Sequence, residues 1–567
     1  MALLTNPAAV TAAAVAVLFA AAAVLIFREN KRQRAARRKK WKAAWGKAAS
    51  MKAPSSEYMR RVGAYSASLE GGIDEITAGD LDIASIFARM DSAVSGPGEE
   101  YLLACLTHPL LDTDKLAERK AVMDAIASDE ERRLALKEAL AGVGKLKRSS
   151  FFAAIERAKE LETIGAGKYA AMSLLTVAAF VMLFFFPTPA VLALIVLFSA
   201  NAFAHIRIKP RTEKGIESFT AIVRMVKAEK KLSECSFAEA DSIFKKIHKA
   251  AEDLSAFSFG SSLVTSGGSV DTGLMGAVIE YAKVLFNLDL IQYDRMAGAV
   301  KDRGEALLDL FEGIGGLDAL TAAAGFRESL PVACEADLKS DGRALMEASC
   351  VCHPLLKDPV GNDVSLEGGM LLTGSNASGK STFLKAAAIA AVLAQSFKFA
   401  PAKSYAAPPF RIFTSMALSD SLQNGESYYI VEIRSLKRIL DAASTEGAPA
   451  LCVIDEVLRG TNTIERIASS AAILGELSKK NVLLFAATHD IELTSLLKGK
   501  LVMKHFSENV NGSDVAFDYV LKDGPSDTQN AIRLLKGAGY PDSIVEEASE
   551  RAEGFRASGT WEKDPKK

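Results

Sequence analysis

Residues 371–382 read Leu-Leu-Thr-Gly-Ser-Asn-Ala-Ser-Gly-Lys-Ser-Thr, and their two glycines, lysine and following serine fit the pattern G-x-x-x-x-G-K-[ST]. An apolar run, 370–372, precedes the glycines as a buried strand would, and a helical run, 383–395, follows. The glycines allow a tight turn whose backbone N–H groups point inward, so the loop and the start of the helix can surround phosphate oxygens. This strand–loop–helix context favours a functional loop over a chance match. The stretch predicts a site for a nucleoside triphosphate.

Each residue type in this loop has an expected role. Lys380 reaches the β- and γ-phosphates, and the Ser381 hydroxyl holds Mg²⁺. The other residues expected to surround the nucleotide are Gly374, Ser375, Asn376, Ala377, Ser378, Gly379 and Thr382.

Two later apolar strands also end in residues suited to phosphoryl transfer. The first is followed by Asp455, expected in the Mg²⁺ shell, and by Glu456, expected to orient or deprotonate the attacking water. The second, 482–487, is followed by His489, which suits contact with a γ-phosphate or the lytic water. A solvated turn and a structural histidine are the plainer alternatives, but the position of these groups directly after buried strands favours function. Together the motifs predict an ABC-type ATPase that uses ATP and Mg²⁺.

Longer stretches around these motifs resemble the MutS family of mismatch-recognition ATPases. Asn376 stands where the family's phosphate loop carries Asn, His353-Pro354 resembles its lead-in, and Asn362-Asp363 also belongs to the resemblance. The resemblance covers roughly 318–555. Three further segments carry it: 419–427, similar to the signature loop; 455–463, similar to the extended Walker B motif and D-loop; and 487–493, similar to the histidine switch.

The resemblance implies an α/β P-loop ATPase domain of the ABC/MutS type, preceded by an all-α core and lever domain. It also implies a dimer, most simply a homodimer, with composite ATP sites in which Ser427 acts in trans on the nucleotide of the other subunit. Val360 stands about where the family often has an aromatic residue stacked on adenine, and Tyr519 is the expected substitute. DNA is a possible partner by resemblance alone. The family's mismatch-reading domain and DNA clamp have no evident counterpart in this sequence.

Residues 8–27 are uncharged and mostly Ala, Val, Leu and Phe. At 1.5 Å per residue this run can cross the ~30 Å hydrocarbon core of a bilayer. A buried soluble helix and a cleaved signal peptide are the alternatives, but the basic residues follow the run rather than precede it. The positive-inside rule then predicts an N-terminus outside the cell and a cytoplasmic basic segment. Within that segment, 28–47 is expected to contact anionic lipid headgroups, with nucleic acid as the less economical partner.

A second uncharged stretch, 169–204, is too long for one span. Pro187 and Pro189 divide it, which predicts a helical hairpin whose Pro-Thr-Pro tip reaches the far side of the membrane. A hairpin that inserts only partly is the alternative. Basic residues flank both ends, so the expected protein has three transmembrane helices, lies in the cell (inner) membrane and keeps most of its chain in the cytoplasm.

The overall composition adds few constraints. The chain has 567 residues and a net charge of −1, which gives no compositional reason to expect a polyanion partner. Its six cysteines follow no repeated spacing, and the Cys350-Val-Cys-His353 cluster is better explained by buried strand cysteines than by a metal site. The expected division is 1–27 transmembrane helix, 28–56 basic juxtamembrane segment, 57–167 helical core-like segment, 168–206 transmembrane hairpin, 207–345 helical lever-like domain, 346–525 ATPase domain and 526–567 helix–turn–helix dimerisation element with tail.

Three functions remain open from the sequence. The first is a membrane-anchored ATPase dimer whose lever helices open and close around DNA or another partner. The second is an ATP-driven membrane motor, which the lack of charge inside the apolar segments disfavours. The third is a scaffold whose assembly depends on ATP, which the intact Asp455-Glu456 pair disfavours.

Overall fold

The structure, a computed structural model, describes residues 7–49, 52–146, 149–257, 281–339, 342–375, 378–416, 428–458, 461–511, 514–526 and 539–558, with positions 532, 535 and 561. Its contacts divide the chain into two compact units. One contains Met1–Ala49, Ser92–Glu99 and Met123–Ser329, and the other contains Ser50–Asp91, Glu100–Val122 and Leu330–Lys567. The helical segment expected over 57–167 is therefore shared between the two units.

Helices account for most of the described chain before residue 328. In chain order the helices are α1 (Pro7–Ala44), α2 (Ser56–Val62), α3 (Glu75–Asp80), α4 (Ile83–Met90), α5 (Gly96–Thr107), α6 (Thr113–Ser128), α7 (Glu130–Leu140), α8 (Phe151–Lys159), α9 (Ala166–Met182), α10 (Pro187–Ser233), α11 (Asp241–Asp253), α12 (Leu288–Lys301), α13 (Gly304–Arg327), α14 (Lys380–Phe397), α15 (Tyr428–Ala443), α16 (Thr463–Leu477), α17 (Glu492–Leu496) and α18 (Asp542–Ser558).

In the first unit, the apolar and basic parts of the N-terminal segment form one helix, α1. Three of its basic side chains lie four residues apart, so they share one face. They form ion pairs of 2.5–2.6 Å with glutamates of α7, which directs them toward protein rather than toward the lipid headgroups expected for 28–47. The pairs are Arg34–Glu138, Arg38–Glu131 and Lys42–Glu130.

The second apolar stretch forms two packed helices, α9 and α10, joined by residues 183–186. The turn precedes both prolines, which were expected to form it. Pro187 instead begins α10, where its missing N–H leaves no helical hydrogen bond unmade. Asp294 of α12 accepts hydrogen bonds from the backbone N–H groups of Gly165 and Ala166, each at 2.9 Å, and so caps the start of α9.

Within the part of the chain that the structure describes, fewer helices of membrane-spanning length are found than expected. Among the described residues, Pro187–Ile208 is the one stretch long and apolar enough to cross a bilayer, with mean hydropathy 1.9. Ala166–Met182 is apolar but shorter. The expectation of three transmembrane helices is therefore not supported.

A buried polar contact joins this hairpin to the chain just before α12. The Asn201 side-chain amide donates to the Leu285 carbonyl at 2.8 Å, and Asn287 donates to the Asn201 carbonyl oxygen at 2.9 Å. Both asparagines are fully buried. Because a polar group buried in apolar surroundings is costly unless it is hydrogen-bonded, this contact fixes the hairpin to α12.

The strands of the described chain all lie in the second unit. They are β1 (Cys334–Leu338), β2 (Leu345–Val351), β3 (Asn362–Glu367), β4 (Gly369–Thr373), β5 (Phe399–Ala400), β6 (Ser404–Ala407), β7 (Arg411–Ser415), β8 (Ala450–Asp455), β9 (Val482–Ala487), β10 (Val502–Asn511) and β11 (Asp514–Asp523).

These strands form two sheets. The larger has the order β11-β10-β4-β9-β8-β7, with parallel pairing throughout except for the antiparallel edge strand β11. The smaller is mixed, with the order β3-β2-β6-β1-β5. Every residue of β4, β8 and β9 is buried, as expected for central parallel strands covered on both faces.

The short helix α3 belongs to this second unit and is bound to the edge of its larger sheet. The buried carboxylate of Asp80 accepts a hydrogen bond from the Thr414 hydroxyl at 2.7 Å and another from the Met416 backbone N–H at 2.9 Å. Asp74, at the start of the same helix, forms an ion pair with Arg438 of α15. Residues near the start of the chain therefore complete the C-terminal α/β fold.

Candidate functional site

The candidate site lies where three parallel strands end together. In the sheet register, Leu372 of β4 and Asp455 of β8 both lie opposite Ala487, the last residue of β9. Backbone hydrogen bonds continue this alignment past the strands, from Glu456 N–H to the Ala487 carbonyl and from Thr488 N–H to the Leu372 carbonyl. The three motifs singled out in the sequence therefore meet at one edge of the sheet.

The phosphate loop follows β4 and leads into α14. Gly374 and Gly379 have φ values of 138° and 102°, in the left-handed region that favours glycine. A Cβ atom at Gly374 would lie 2.8 Å from the Phe506 carbonyl oxygen, so the loop also has no space for a side chain there. The Lys380 ammonium is buried and donates to the carbonyl oxygens of Gly374 and Ser375, each at 2.7 Å. The lysine thus lies inside the curve of its own loop.

Ser381 and Asp455 are in direct contact at the base of this loop. The Ser381 hydroxyl donates to Oδ2 of Asp455, and Oδ1 of the same carboxylate is buried without a hydrogen-bond partner. A buried carboxylate oxygen without a donor is costly, and a hard cation such as Mg²⁺ takes oxygen ligands of this kind. The hydroxyl and the carboxylate therefore fit a Mg²⁺ ion.

Glu456 and His489 form the second contact of the site. His489 Nε2 lies 2.7 Å from Oε1 of Glu456, and neither side chain is fully buried. Glu456 has a φ of 59°, an uncommon left-handed conformation for a residue other than glycine, and Leu458 has a φ of 58°. Strained backbone of this kind persists where the surroundings hold it, and here it turns the Glu456 side chain toward the end of β9.

A supporting ion pair behind His489 was not anticipated from the sequence. Arg466 of α16 donates to both carboxylate oxygens of Asp490, at 2.9 and 2.7 Å. The hydrogen bond to Asp490 raises the pKa of Arg466. The Asp490 backbone N–H also donates to the hydroxyl of the buried Thr488 at 3.0 Å, which fixes the turn that carries His489. The adjacency of Asp490 to His489 was the available signal, but the partner of Asp490 depends on the tertiary fold.

A cavity of about 340 Å³ lies beside the phosphate loop, with Gly379 and Thr382 in its wall. Val360 and Tyr519, both named from the sequence for the base, line this cavity. The Tyr519 ring would lie 3.0 Å from a Cβ atom at Gly379, so it packs directly against the loop. The cavity is also lined by Val351, His353, Leu356, Asp358, Asn362, Phe383, Ala386 and Phe506.

Some of the expected site residues lie outside the described part of the chain. They are Asn376 and Ala377 of the phosphate loop and Ser427 of the signature-like segment. No group of three or more potential metal-ligating side chains occurs within the described residues. Cys350 is half-buried and Cys352 buried, and burial together with the neighbouring Cys350 raises the pKa of Cys352 to about 11.

Known proteins match the C-terminal part of this chain, which contains the site. The family model described as MutS domain V matches residues 370–556. The DNA mismatch repair protein MutS of Thermotoga maritima is 32% identical over 271 residues, which cover 44% of this chain and 32% of that protein. The DNA mismatch repair protein MutS 2 of Haloarcula marismortui is 36% identical over 181 residues, 31% of this chain and 19% of that protein. The chain thus spans about a third or less of the length of these curated relatives.

Proposed function

Because the C-terminal half of this chain belongs to the MutS family, we propose that the protein is a Mg²⁺-dependent ATPase that acts as a dimer and is attached to a membrane. ATP binding and hydrolysis would drive motion of its helical unit, with DNA as the partner. The observation that carries the ATPase assignment is the meeting of Lys380, the Ser381–Asp455 contact and the Glu456–His489 contact at one sheet edge.

The residues of this chain would divide the chemistry among them. Lys380 can exchange its two loop carbonyls for phosphate oxygens, which are stronger acceptors for an ammonium group. Ser381 and Asp455 would hold Mg²⁺, which neutralises phosphate charge when bound. Glu456 would accept a proton from the attacking water, and His489 would hold that carboxylate in place through the 2.7 Å contact.

The nucleoside part of ATP would occupy the cavity beside Gly379. Its walls include Val360 and Tyr519, which would lie against the faces of the base. A tyrosine ring and a branched aliphatic side chain both present apolar surface to a flat ring, so burial of the base favours binding. The Mg²⁺–triphosphate end would then lie toward the loop and Asp455.

The dimer proposal follows from the family. In this arrangement Ser427 of one subunit would complete the ATP site of the other, and the C-terminal region that includes α18 would contribute to dimerisation. A site shared between subunits couples ATP binding to their association, since nucleotide held by both favours the closed dimer.

Membrane attachment is supported by the apolar surface of the α9–α10 hairpin. Phe184, Phe185 and Phe186 at its turn are 88%, 72% and 62% exposed, and exposed Leu, Val and Ile side chains continue along both helices. A contiguous apolar surface of this kind marks a membrane or protein contact. The 22 residues of Pro187–Ile208 favour the membrane, which would be the cell (inner) membrane with most of the chain in the cytoplasm and the N-terminus outside.

The proposed ATP binding and hydrolysis are tested with two substitutions in the full chain, solubilised in detergent. Lys380→Ala should abolish binding of a fluorescent ATP analogue, since the loop then lacks its cation. Glu456→Gln should keep ATP binding but lower phosphate release by 10²-fold or more, in the range attributed to a general base. Glu446→Gln, an exposed loop position, is the matched control and should behave as wild type. Phosphate release by Glu456→Gln at the wild-type rate would remove the assignment.

The DNA proposal needs its own measurement, because it rests on the names of relatives that this chain only partly covers. Binding of duplex, mismatched and branched DNA should weaken with salt if lysines and arginines contact phosphates. The rate of ATP turnover should rise when the form of DNA that binds is added. Turnover that is unchanged by every DNA but altered by liposomes would instead support an ATP-driven membrane motor.

A further inference from the structure

The cavity beside the phosphate loop has mostly apolar walls and few polar side chains. Apart from the hydroxyl of Tyr519, a residue that is 44% exposed, the polar ones are His353, Asp358, Asn362 and Thr382. Asp358 and Thr382 are exposed at its edge, whereas Asn362 and His353 are at least partly buried. Only a group held inside the cavity can discriminate one nucleobase from another, because an exposed group can be satisfied by water.

Both polar atoms of the Asn362 side-chain amide already have backbone partners. Its side-chain N–H donates to the Tyr519 carbonyl at 3.0 Å, and its side-chain oxygen accepts from the Leu521 N–H at 2.7 Å. These bonds join β3 to β11 and hold the segment that carries Tyr519 against the loop. The amide therefore shapes the cavity wall.

His353 differs from Asn362 in having one ring nitrogen to offer. The Leu355 backbone N–H donates to Nδ1 of His353 at 3.3 Å, so Nδ1 is the acceptor and the ring proton of a neutral imidazole lies on Nε2. Burial, the Lys385 ammonium and Arg89 lower the pKa of His353 to about 4, against the opposing effect of Asp82. The ring is therefore neutral at physiological pH and presents one N–H donor.

We propose that His353 recognises the nucleobase by donating its Nε2–H to a ring nitrogen of a purine, and that it determines which nucleotide this site prefers. The inference deepens the proposed ATP site and rests on it. Purine rings carry unprotonated nitrogens that accept a hydrogen bond, and a neutral imidazole donates without placing a charge beside the apolar walls. A double ring also covers more of the surface offered by Val360 and Tyr519 than a single ring does.

The test measures the affinity of the full-length protein for ATP and for 1-deaza-, 3-deaza- and 7-deaza-ATP, each of which lacks one ring nitrogen. One analogue should bind about 3- to 10-fold more weakly than ATP, as expected for one neutral hydrogen bond. His353→Leu should bind ATP with that weaker affinity and should no longer distinguish this analogue from ATP. His353→Gln, which restores an N–H donor, should recover part of the preference.

Inorganic tripolyphosphate is the control ligand, because it engages Lys380 without a base. His353→Leu should bind it as tightly as wild type does, which shows that the variant is folded. A wild type that binds all three analogues as well as ATP, or a His353→Leu variant that keeps the wild-type preference, would overturn the role of His353. A wild type that binds neither ATP nor tripolyphosphate would instead overturn the ATP site itself.

Discussion

At the residue scale, the site combines a few ordinary side chains with unusual surroundings. Asp455 has one carboxylate oxygen bound by Ser381 and the other buried without a donor. Glu456 adopts a left-handed backbone conformation and contacts His489. Each arrangement costs stability by itself, and each positions a charge where phosphate chemistry would use it.

The lowered pKa of His353 predicts a dependence of stability on pH. Its folded-state pKa is about 4, below the ordinary value of 6.5, so between these values the unfolded chain binds more protons. The contribution of His353 to the free energy of unfolding should therefore fall by about 3 kcal/mol as pH drops from 6.5 to 4. Above pH 6.5 this contribution should be nearly constant. The groups facing the ring are Lys385, Arg89 and Asp82.

Urea unfolding of wild type and His353→Gln at a series of pH values measures this effect. The substitution should flatten the acid side of the stability profile. His248→Gln is the matched control, because His248 is exposed and its pKa is raised by Glu229, so its contribution has the opposite sign. Equal acid slopes for wild type and His353→Gln would show that folding does not lower the pKa of His353.

Several of these residue positions could be predicted from sequence, and others could not. Lys380 and Asp455 stand in local patterns whose spacing fixes their geometry, because the strand, loop and helix are contiguous in the chain. Asp80 and Arg466 depend on contacts between segments far apart in sequence, and nothing in their local pattern identifies those partners. Asn362 belongs to a pair, Asn362-Asp363, that carries part of the family resemblance, but its hydrogen bonds to the Tyr519 and Leu521 backbone depend on the tertiary fold.

At the element scale, the six-residue helix α3 is held to the edge of the larger sheet by polar contacts. Asp80 of α3 accepts hydrogen bonds from Thr414 and Met416 at the end of β7, and Asp74, at the start of α3, forms an ion pair with Arg438 of α15. The helix therefore binds the two elements that border residues 417–427. A helix this short is not stable alone. Its position therefore depends on these polar contacts and on packing.

Asp80→Ala should destabilise the second unit. Removing the carboxylate leaves the Thr414 hydroxyl and the Met416 N–H buried without it, at about 1–3 kcal/mol for each group. Chemical denaturation followed by circular dichroism measures the loss. Asp337→Ala is the control, since its ion pair with Lys339 is exposed and should contribute less than about 1 kcal/mol. Equal effects of the two substitutions would contradict the role assigned to α3.

The prolines of the α9–α10 hairpin show the limit of prediction for an element. Proline in a helical stretch predicts a break, but Pro187 also suits the first turn of a helix, and the sequence pattern does not choose between the two. The structure places the turn at 183–186 and begins α10 at Pro187. The observed turn therefore lies a few residues before the predicted one, and both predicted helices are present.

At the scale of the whole molecule, the apolar face of the hairpin predicts membrane association. Leu192→Lys combined with Ile195→Lys places two charges on a face that is 66% and 59% exposed at these positions. Each lysine should cost about 2.5–3.5 kcal/mol in a bilayer centre, so the variant should lose flotation with liposomes.

Ile464→Lys is the control for that experiment. Ile464 is 80% exposed but lies on α16, in the other unit, so this variant should still float with liposomes. Flotation of the double hairpin variant at the wild-type level would remove the hairpin as the membrane contact. Loss of flotation by Ile464→Lys would show that any added charge has the same effect.

The division of the chain has a consequence for its biosynthesis. Residues 50–91 and 100–122 belong with Leu330–Lys567, so the second unit is interrupted in sequence by Met123–Ser329. At about 5–20 residues per second, a ribosome needs roughly 10–40 s to synthesise that insertion. The apolar hairpin therefore emerges while α3 still lacks the strand it will bind, and the nascent chain carries this apolar surface before the phosphate loop and Asp455 have been synthesised.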